Sequence, residues 1–176
     1  MEALCYTFRM VIIVKRPLWE REIDAIVSDI RSYPSLIYVA KSRLAQYKTP
    51  YVLEENGVFV GLCAVYEFDQ WVKLGPLVFL QQFHGKGYGN ILLTQIVADY
   101  AKKDIYVTSS NIAVQKIIEK LHFTEVKGVW RLPLPVKIFL LKQLYEHMHW
   151  DMITEFIRKK LTMKSSARKY YIRQVV

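Results

Sequence analysis

The sequence predicts an α/β or α+β domain, on three observations. Runs rich in β-forming residues alternate with stretches of helical period, the pattern of a mixed central sheet flanked by helices. The 176 residues are just over half hydrophobic and 14% aromatic, enough for one sizeable core and too few for two comfortable ones. One strand-like run leads through three glycines at alternate positions straight into an amphipathic pattern, VFLQQFHGKGYGNILLTQIVADYAKK from Val78 to Lys103.

Residues 17–31, PLWEREIDAIVSDIR, carry apolar side chains at 19, 23, 26, 27 and 30, a helical period. A second helix is expected over 36–47. YVLEENGVFVGLCAVYEF reads as a hairpin, because Asn56-Gly57 tolerates positive φ at both turn positions. A further strand is expected from about Val72 to Leu80, bent at Gly75-Pro76, then the glycine loop and a helix from about Asn90 to Lys102. DIYVTSS is another strand and NIAVQKIIEKLH another helix. FTEVKGVWRLPL reads as two short strands turning at Lys127-Gly128. The chain then continues as one or two amphipathic helices and a basic end. The division this suggests is a body, 1–132, and a basic helical C-terminal extension, 133–176, packed on it.

Charge follows the same division. Residues 1–126 carry 14 Lys/Arg against 13 Asp/Glu, and residues 127–176 carry 11 against 3. No run of eighteen apolar residues indicates a membrane span. The opening MEALCYTFRMVIIVKRP has neither a basic leading segment nor a small-residue cleavage site, so it does not read as a signal peptide. Cys5 and Cys63 are far apart without metal-ligand spacing, as expected for structural thiols in a cytoplasmic protein. His147 and His149 are two apart and would point to different helix faces, so no metal site is expected.

A glycine loop lets backbone approach a ligand, and a helix that starts just after it directs N–H groups and partial positive charge at phosphate. Lys86 adds a formal charge. The loop lacks the Gly-Lys-Ser/Thr ending of a triphosphate loop, and Gly85-x-Gly87-x-Gly89 is not the dinucleotide spacing.

Residues 58–123 resemble the GCN5-related N-acetyltransferase superfamily in four segments in order. NGVFVGLCAVYEF is similar to its central strand, and LGPLVFLQQFHGKGYGNILL to its acyl-coenzyme A motif. IYVTSSN is similar to the next strand with its Asn, and NIAVQKIIEKLHF to the helix that closes on a Gly-Phe pair. Two registers fit the loop. Gln82-x-x-Gly85-x-Gly87 matches the letters, and His84-x-x-Gly87-x-Gly89 better matches the distance to Leu92-Leu93. The resemblance implies that amides of His84, Gly85, Lys86, Gly87, Tyr88, Gly89 and Asn90 wrap the coenzyme pyrophosphate. It also implies that the main chain of Leu77, Val78 and Phe79 pairs with the pantetheine arm, which Asn111 contacts. Acetyl-coenzyme A would then be the acyl donor, with no metal, and an amine the acceptor.

Acyl transfer from a thioester needs a neutral amine, support for the tetrahedral oxyanion and a proton for the thiolate. The Phe79 N–H is the expected oxyanion donor. The family's usual acid, a Tyr seven residues after the Asn, is Ile118 here, and the Gly of the Gly-Phe pair is His122. Substitute acids are Tyr106, Tyr66, Glu67 and His122, with Tyr106 and Glu67 foremost. The competing reading is a catalytically inactive, coenzyme-binding or regulatory relative that uses the tail for nucleic acid. Arg158, Lys159, Lys160, Lys164, Arg168, Lys169 and Arg173 lie among Tyr170 and Tyr171 there. The apolar helical stripe at Leu140, Leu141, Leu144 and Met148, then Trp150, Ile153, Phe156, Ile157 and Leu161, is expected to pack on the body or on a second copy in a homodimer.

Overall fold

Seven strands make one sheet in the order β1-β2-β3-β4-β5-β7-β6. The computed structural model describes residues 10–30, 41–146 and 168–175. In chain order the elements are β1 (Val11–Lys15), α1 (Glu20–Ile30), α2 (Lys41–Ala45), β2 (Tyr51–Glu55), β3 (Val58–Phe68) and β4 (Trp71–Phe79). They continue with α3 (Tyr88–Asp99), β5 (Asp104–Ser109), α4 (Ile112–Lys120), β6 (Thr124–Val126), α5 (Leu134–Glu146) and β7 (Lys169–Arg173). Strands β1 to β4 form an antiparallel meander, β4 and β5 pair in parallel, and β7 lies antiparallel between β5 and β6.

The predicted hairpin is there: Asn56 and Gly57 take φ of 51° and 75°, joining β2 to β3. Asn56 also ties down the start of β1, its Oδ1 accepting from the Met10 amide at 3.1 Å. The alternation of each strand then sorts its side chains between two cores. On one face, Leu92, Leu93 and Ile96 of α3 and Ile118 of α4 pack on Val60, Cys63, Val72, Leu74, Ile105 and Val107. On the other, Ile23, Ile26 and Ile30 of α1 and Leu44 of α2 cover Leu62, Ala64 and Val78. There too, Val136 of α5 and Leu132 cover Trp71 and Tyr106. Cys63 is fully buried, and burial pushes its thiol up to about 12; Cys5 lies outside the described residues.

Three expectations change. Val129–Arg131 forms a 3₁₀ turn, not a strand, so the partner of β6 is β7 from the end of the chain. The chain has to leave the sheet plane there, because Leu132 and Val136 sit on its face over Trp71 and Tyr106. The expected stripe of α5 is rotated. Leu141 and Leu144 are exposed, while Val136 and Leu140 face the sheet and Phe139 stacks on Phe68 at 4.2 Å. The described end of the tail, expected as part of a helical extension, is a strand inside the sheet. Tyr171 is fully buried with its hydroxyl donating to Glu119 at 3.1 Å, and Lys169 pairs with Glu125 at 2.7 Å. Tyr171 is therefore a core residue, and Tyr170 is partly buried against Trp71 and Tyr106. His147, His149 and residues 150–167, with most of the basic run, lie outside the described residues.

Candidate active site

The site begins where two strands part. Strand β4 pairs with β5 only from Trp71 opposite Asp104 to Leu74 opposite Val107. Beyond Leu74, β4 keeps its pairing with β3 as far as Phe79 opposite Gly61, and β5 keeps its pairing with β7 as far as Ser109 opposite Lys169. A slot is left between them. The parting begins at Gly75-Pro76, where β4 spends an extra residue against β3 and Gly75 takes φ of 115°. Gln115 of α4 fixes the far lip, its side-chain amide donating to the Ser109 carbonyl at 3.0 Å. That residue gave no signal in the sequence, because an amide on a helix usually faces water.

The backbone of Phe79 faces this slot. The Leu80 amide donates to Val60 on β3 at 2.9 Å, and successive peptide groups in a strand point to opposite sides. Phe79 therefore turns its N–H and C=O away from β3, and its carbonyl meets His84 Nε2 at 3.0 Å. Gly61 allows β3 and β4 this close. A Cβ there would come within 2.4 Å of the Phe79 ring and of the Val78 carbonyl.

The glycine loop closes over the end of the slot. Gly85 and Gly87 take φ of 74° and 83°, and Gly87 caps α3 in the left-handed conformation. Intrahelical bonding starts with Asn90, whose amide donates to the Gly87 carbonyl at 3.0 Å. The amides of Gly87, Tyr88 and Gly89 precede it, at the positive end of the helix dipole. The Tyr88 side chain itself is buried and contacts Phe83 edge-on. The Lys86 ammonium lies 5.0 Å over the Phe83 ring, in front of the loop. Gly89 seats α3 against α4, where a Cβ would stand 3.3 Å from Ile117.

Across the slot, Asn111 caps α4, its Oδ1 accepting from the Ala113 amide at 2.9 Å. Its Nδ2 takes no part in that cap. Ile118 is fully buried in the core between helices and sheet. Glu67 is not brought to the slot: it sits at the opposite end of β3, opposite Val72. There it binds Lys103 and accepts from the Tyr100 hydroxyl at 2.8 Å, and these two partners hold its carboxyl below the usual range. The reason is strand length, since eleven residues of β3 separate its two ends. His122 closes α4 with φ of 63°, a left-handed position that glycine fills more cheaply. Tyr106 lies just before the parting, opposite Lys73, fully buried on the α5 face. Burial and nearby Tyr170 push its phenol well above the usual range, so it stays protonated.

A parallel pair that parts beside a glycine loop and a helix start gives a slot edged by main-chain groups at the positive end of a helix dipole. Residues 18–123 match the model of the acetyltransferase (GNAT) family. The chain belongs to that family, whose members are acetyl-coenzyme A-dependent N-acetyltransferases. No curated protein matches it in sequence.

Solved structures share the fold at low identity. N-acetylglutamate synthase from Neisseria gonorrhoeae, solved with coenzyme A and N-acetyl-glutamate, is 16% identical with a TM-score of 0.63. The match covers 95% of this chain but 35% of the synthase, so the chain spans about a third of that protein's length. The ribosomal-protein-S18-alanine N-acetyltransferase from Escherichia coli is 13% identical, TM-score 0.57, over 93% and 91% of the two chains. The diaminobutyrate acetyltransferase from Paenibacillus lautus, solved with L-2,4-diaminobutyric acid and coenzyme A, is 12% identical, TM-score 0.59, over 94% and 95%. Among the described residues no helix is long and apolar enough to cross a membrane, and no cluster of three metal-ligating side chains occurs.

Proposed function

We propose that the chain acetylates an amine in the cytoplasm by direct attack, with the thioester held in the slot between β4 and β5. The single observation that carries this is the parting of β4 from β5 with the Phe79 peptide turned into the gap. The pyrophosphate would rest on the amides of 84–90, with Lys86 adding charge. The pantetheine arm would run along the main chain of Leu77, Val78 and Phe79, with Asn111 Nδ2 opposite. In this arrangement the Phe79 N–H supports the oxyanion, a role in which a preorganised backbone donor is effective because it does not reorient during reaction.

The neutral amine attacks the carbonyl carbon, and the nitrogen of the tetrahedral intermediate gives up a proton to water. Collapse breaks the C–S bond to give an amide and the coenzyme thiolate, which then takes up a proton. A thiol with pKa near 8.5 is a tolerable leaving group near neutral pH. The buried Ile118 can donate no proton, so the residue to test as acid is Tyr106, one position before the last β4–β5 pair.

Titration with acetyl-coenzyme A, followed by melting temperature and by mass spectrometry of an amine panel, tests the reading. Ligand at about 100 times its dissociation constant contributes roughly 2.7 kcal/mol, or about 5–10 °C in a chain of this size. An unmoved melting point at millimolar acetyl-coenzyme A would defeat it.

A further inference from the structure

Beneath the slot, on the face covered by α1, α2 and α5, one row of side chains crosses the sheet. Tyr66 of β3 stands directly opposite Lys73 of β4, and Lys73 directly opposite Tyr106 of β5. Directly paired residues share a face, with strands about 4.8 Å apart, so the three are lateral neighbours. Lys73 has its ammonium 5.3 Å from the Tyr66 ring centroid and 5.6 Å from that of Phe139. It donates to Gln143 Oε1 of α5 at 2.6 Å, and no carboxylate pairs with it among the described residues. Tyr47 joins the row from beyond α2, edge-on to Tyr66 with centroids 6.1 Å apart.

The hydroxyls of Tyr47, Tyr66 and Tyr106 are all buried and find no hydrogen-bond partner among the described residues. Tyr106 is fully buried and Tyr47 is 8% exposed. A buried hydroxyl without a partner costs about 1–3 kcal/mol, and a buried ammonium without a counter-charge costs more. Tyr66 and Tyr106 thus set two such hydroxyls in the row on either side of a partly buried lysine, with Tyr47 beyond Tyr66. The field there is positive as well: burial first, then the charges of Arg43 and Arg168, lower the Lys73 ammonium to about 8. The arginines act on the row's two ends, Arg43 on Tyr47 and Arg168 on Tyr106.

We propose that this Tyr–Lys–Tyr row binds a carboxylate carried by the acceptor, so that the substrate is a small amino acid-like amine. The inference rests on the reading of the slot as the acetyl donor site. The donor phosphates lie at the α3 end of the slot, and Lys73 sits on the opposite face, two residues before Gly75. An amine whose carboxylate is anchored on this row enters the slot from the face the donor leaves open. An ammonium with neutral hydroxyls on either side matches the two oxygens of a carboxylate. A phosphate, better served by the planar fork of an arginine, is the alternative that O-phosphoethanolamine tests. Gln143 of α5 lies over the lysine and narrows the approach to it.

The test pairs L-amino acids with their α-amides and with the corresponding decarboxylated amines, and adds O-phosphoethanolamine. Acetylation is read by mass spectrometry and binding by melting temperature in the presence of coenzyme A. The expected result is at least one amino acid with kcat/KM about 10- to 100-fold above that of its amide, the range of one lost charge-assisted hydrogen bond. Lys73→Met should bring that ratio close to one through KM, leave the acetyl-coenzyme A dissociation constant as it was, and not lower the melting point of the ligand-free protein. A merely structural lysine would do the reverse: lower stability with selectivity kept. The proposal is overturned if acid and amide react equally, if O-phosphoethanolamine is preferred, or if the ratio survives in Lys73→Met. Failure of the donor site shows separately, as wild-type protein that acetyl-coenzyme A does not stabilise. Binding of the same acid and amide pairs is then compared without donor, and equal shifts for acid and amide overturn the carboxylate site.

Discussion

Single residues set the chemistry of the slot, and two of them separate binding from proton transfer. Gly87 holds φ of 83° with nothing within 4 Å of where a Cβ would lie, so a side chain there costs backbone conformation without a clash. Gly87→Val should abolish the melting shift given by acetyl-coenzyme A while circular dichroism shows the folded spectrum retained. The β-branched residue forces the loop out of the left-handed region and turns its amides from the phosphates. Tyr106→Phe removes a hydroxyl that has no hydrogen-bond partner among the described residues, so stability should hold or rise slightly. If Tyr106 protonates the thiolate, kcat should fall by about 10²-fold or more; a loss under about threefold removes it from that role. The Ile118 position is core, and Ile118→Ala should act on stability, by about 2–5 kcal/mol, before it acts on any proton transfer.

At the scale of elements, the end of α4 and the last strand each carry a consequence. His122 occupies the left-handed position that ends α4, with its amide donating to the Glu119 carbonyl at 3.1 Å. A non-glycine residue there costs about 1–2 kcal/mol, so His122→Gly should raise the melting point by a few degrees. Strand β7 fills the place between β5 and β6, so it supports one wall of the slot. Tyr171→Ala should cost about 3–5 kcal/mol, because it empties a fully buried site and strands the Glu119 contact. A peripheral tail would tolerate the same change without a measurable shift in melting temperature, which makes thermal unfolding the deciding measurement.

At the scale of the whole molecule, carboxylates spread over the sheet couple its stability to pH. Asp99 lies below its ordinary range, first because the buried Tyr51 hydroxyl donates to it at 2.7 Å, and Glu67 does so first because of Lys103. A carboxylate depressed in the fold binds fewer protons than in the unfolded chain. Its contribution is present above about pH 4 and is lost as pH falls through the folded value. The melting temperature should therefore drop below about pH 5, and Asp99→Asn should lie lower at pH 7 with a shallower acid slope. The hairpin at Asn56-Gly57, the glycine loop and the helices α1, α3 and α4 were legible in the sequence, because turn chemistry and hydrophobic period are local properties. The family was legible too, in motifs that lie within residues 58–123. The β7 insertion, the rotation of α5 and the distance of Glu67 from the slot were not. Strand pairing across about fifty residues leaves no local signature, and helix rotation depends on what the opposing face presents. The Tyr–Lys–Tyr row is the clearest case. Tyr66, Lys73 and Tyr106 read singly as ordinary strand residues, and only the register of β3, β4 and β5 sets them side by side with their hydroxyls buried and unpaired. The sequence determined where backbone could turn and which faces were apolar. The tertiary structure alone decided which polar groups were taken from water together, because desolvation is a property of the assembled sheet and its covering helices.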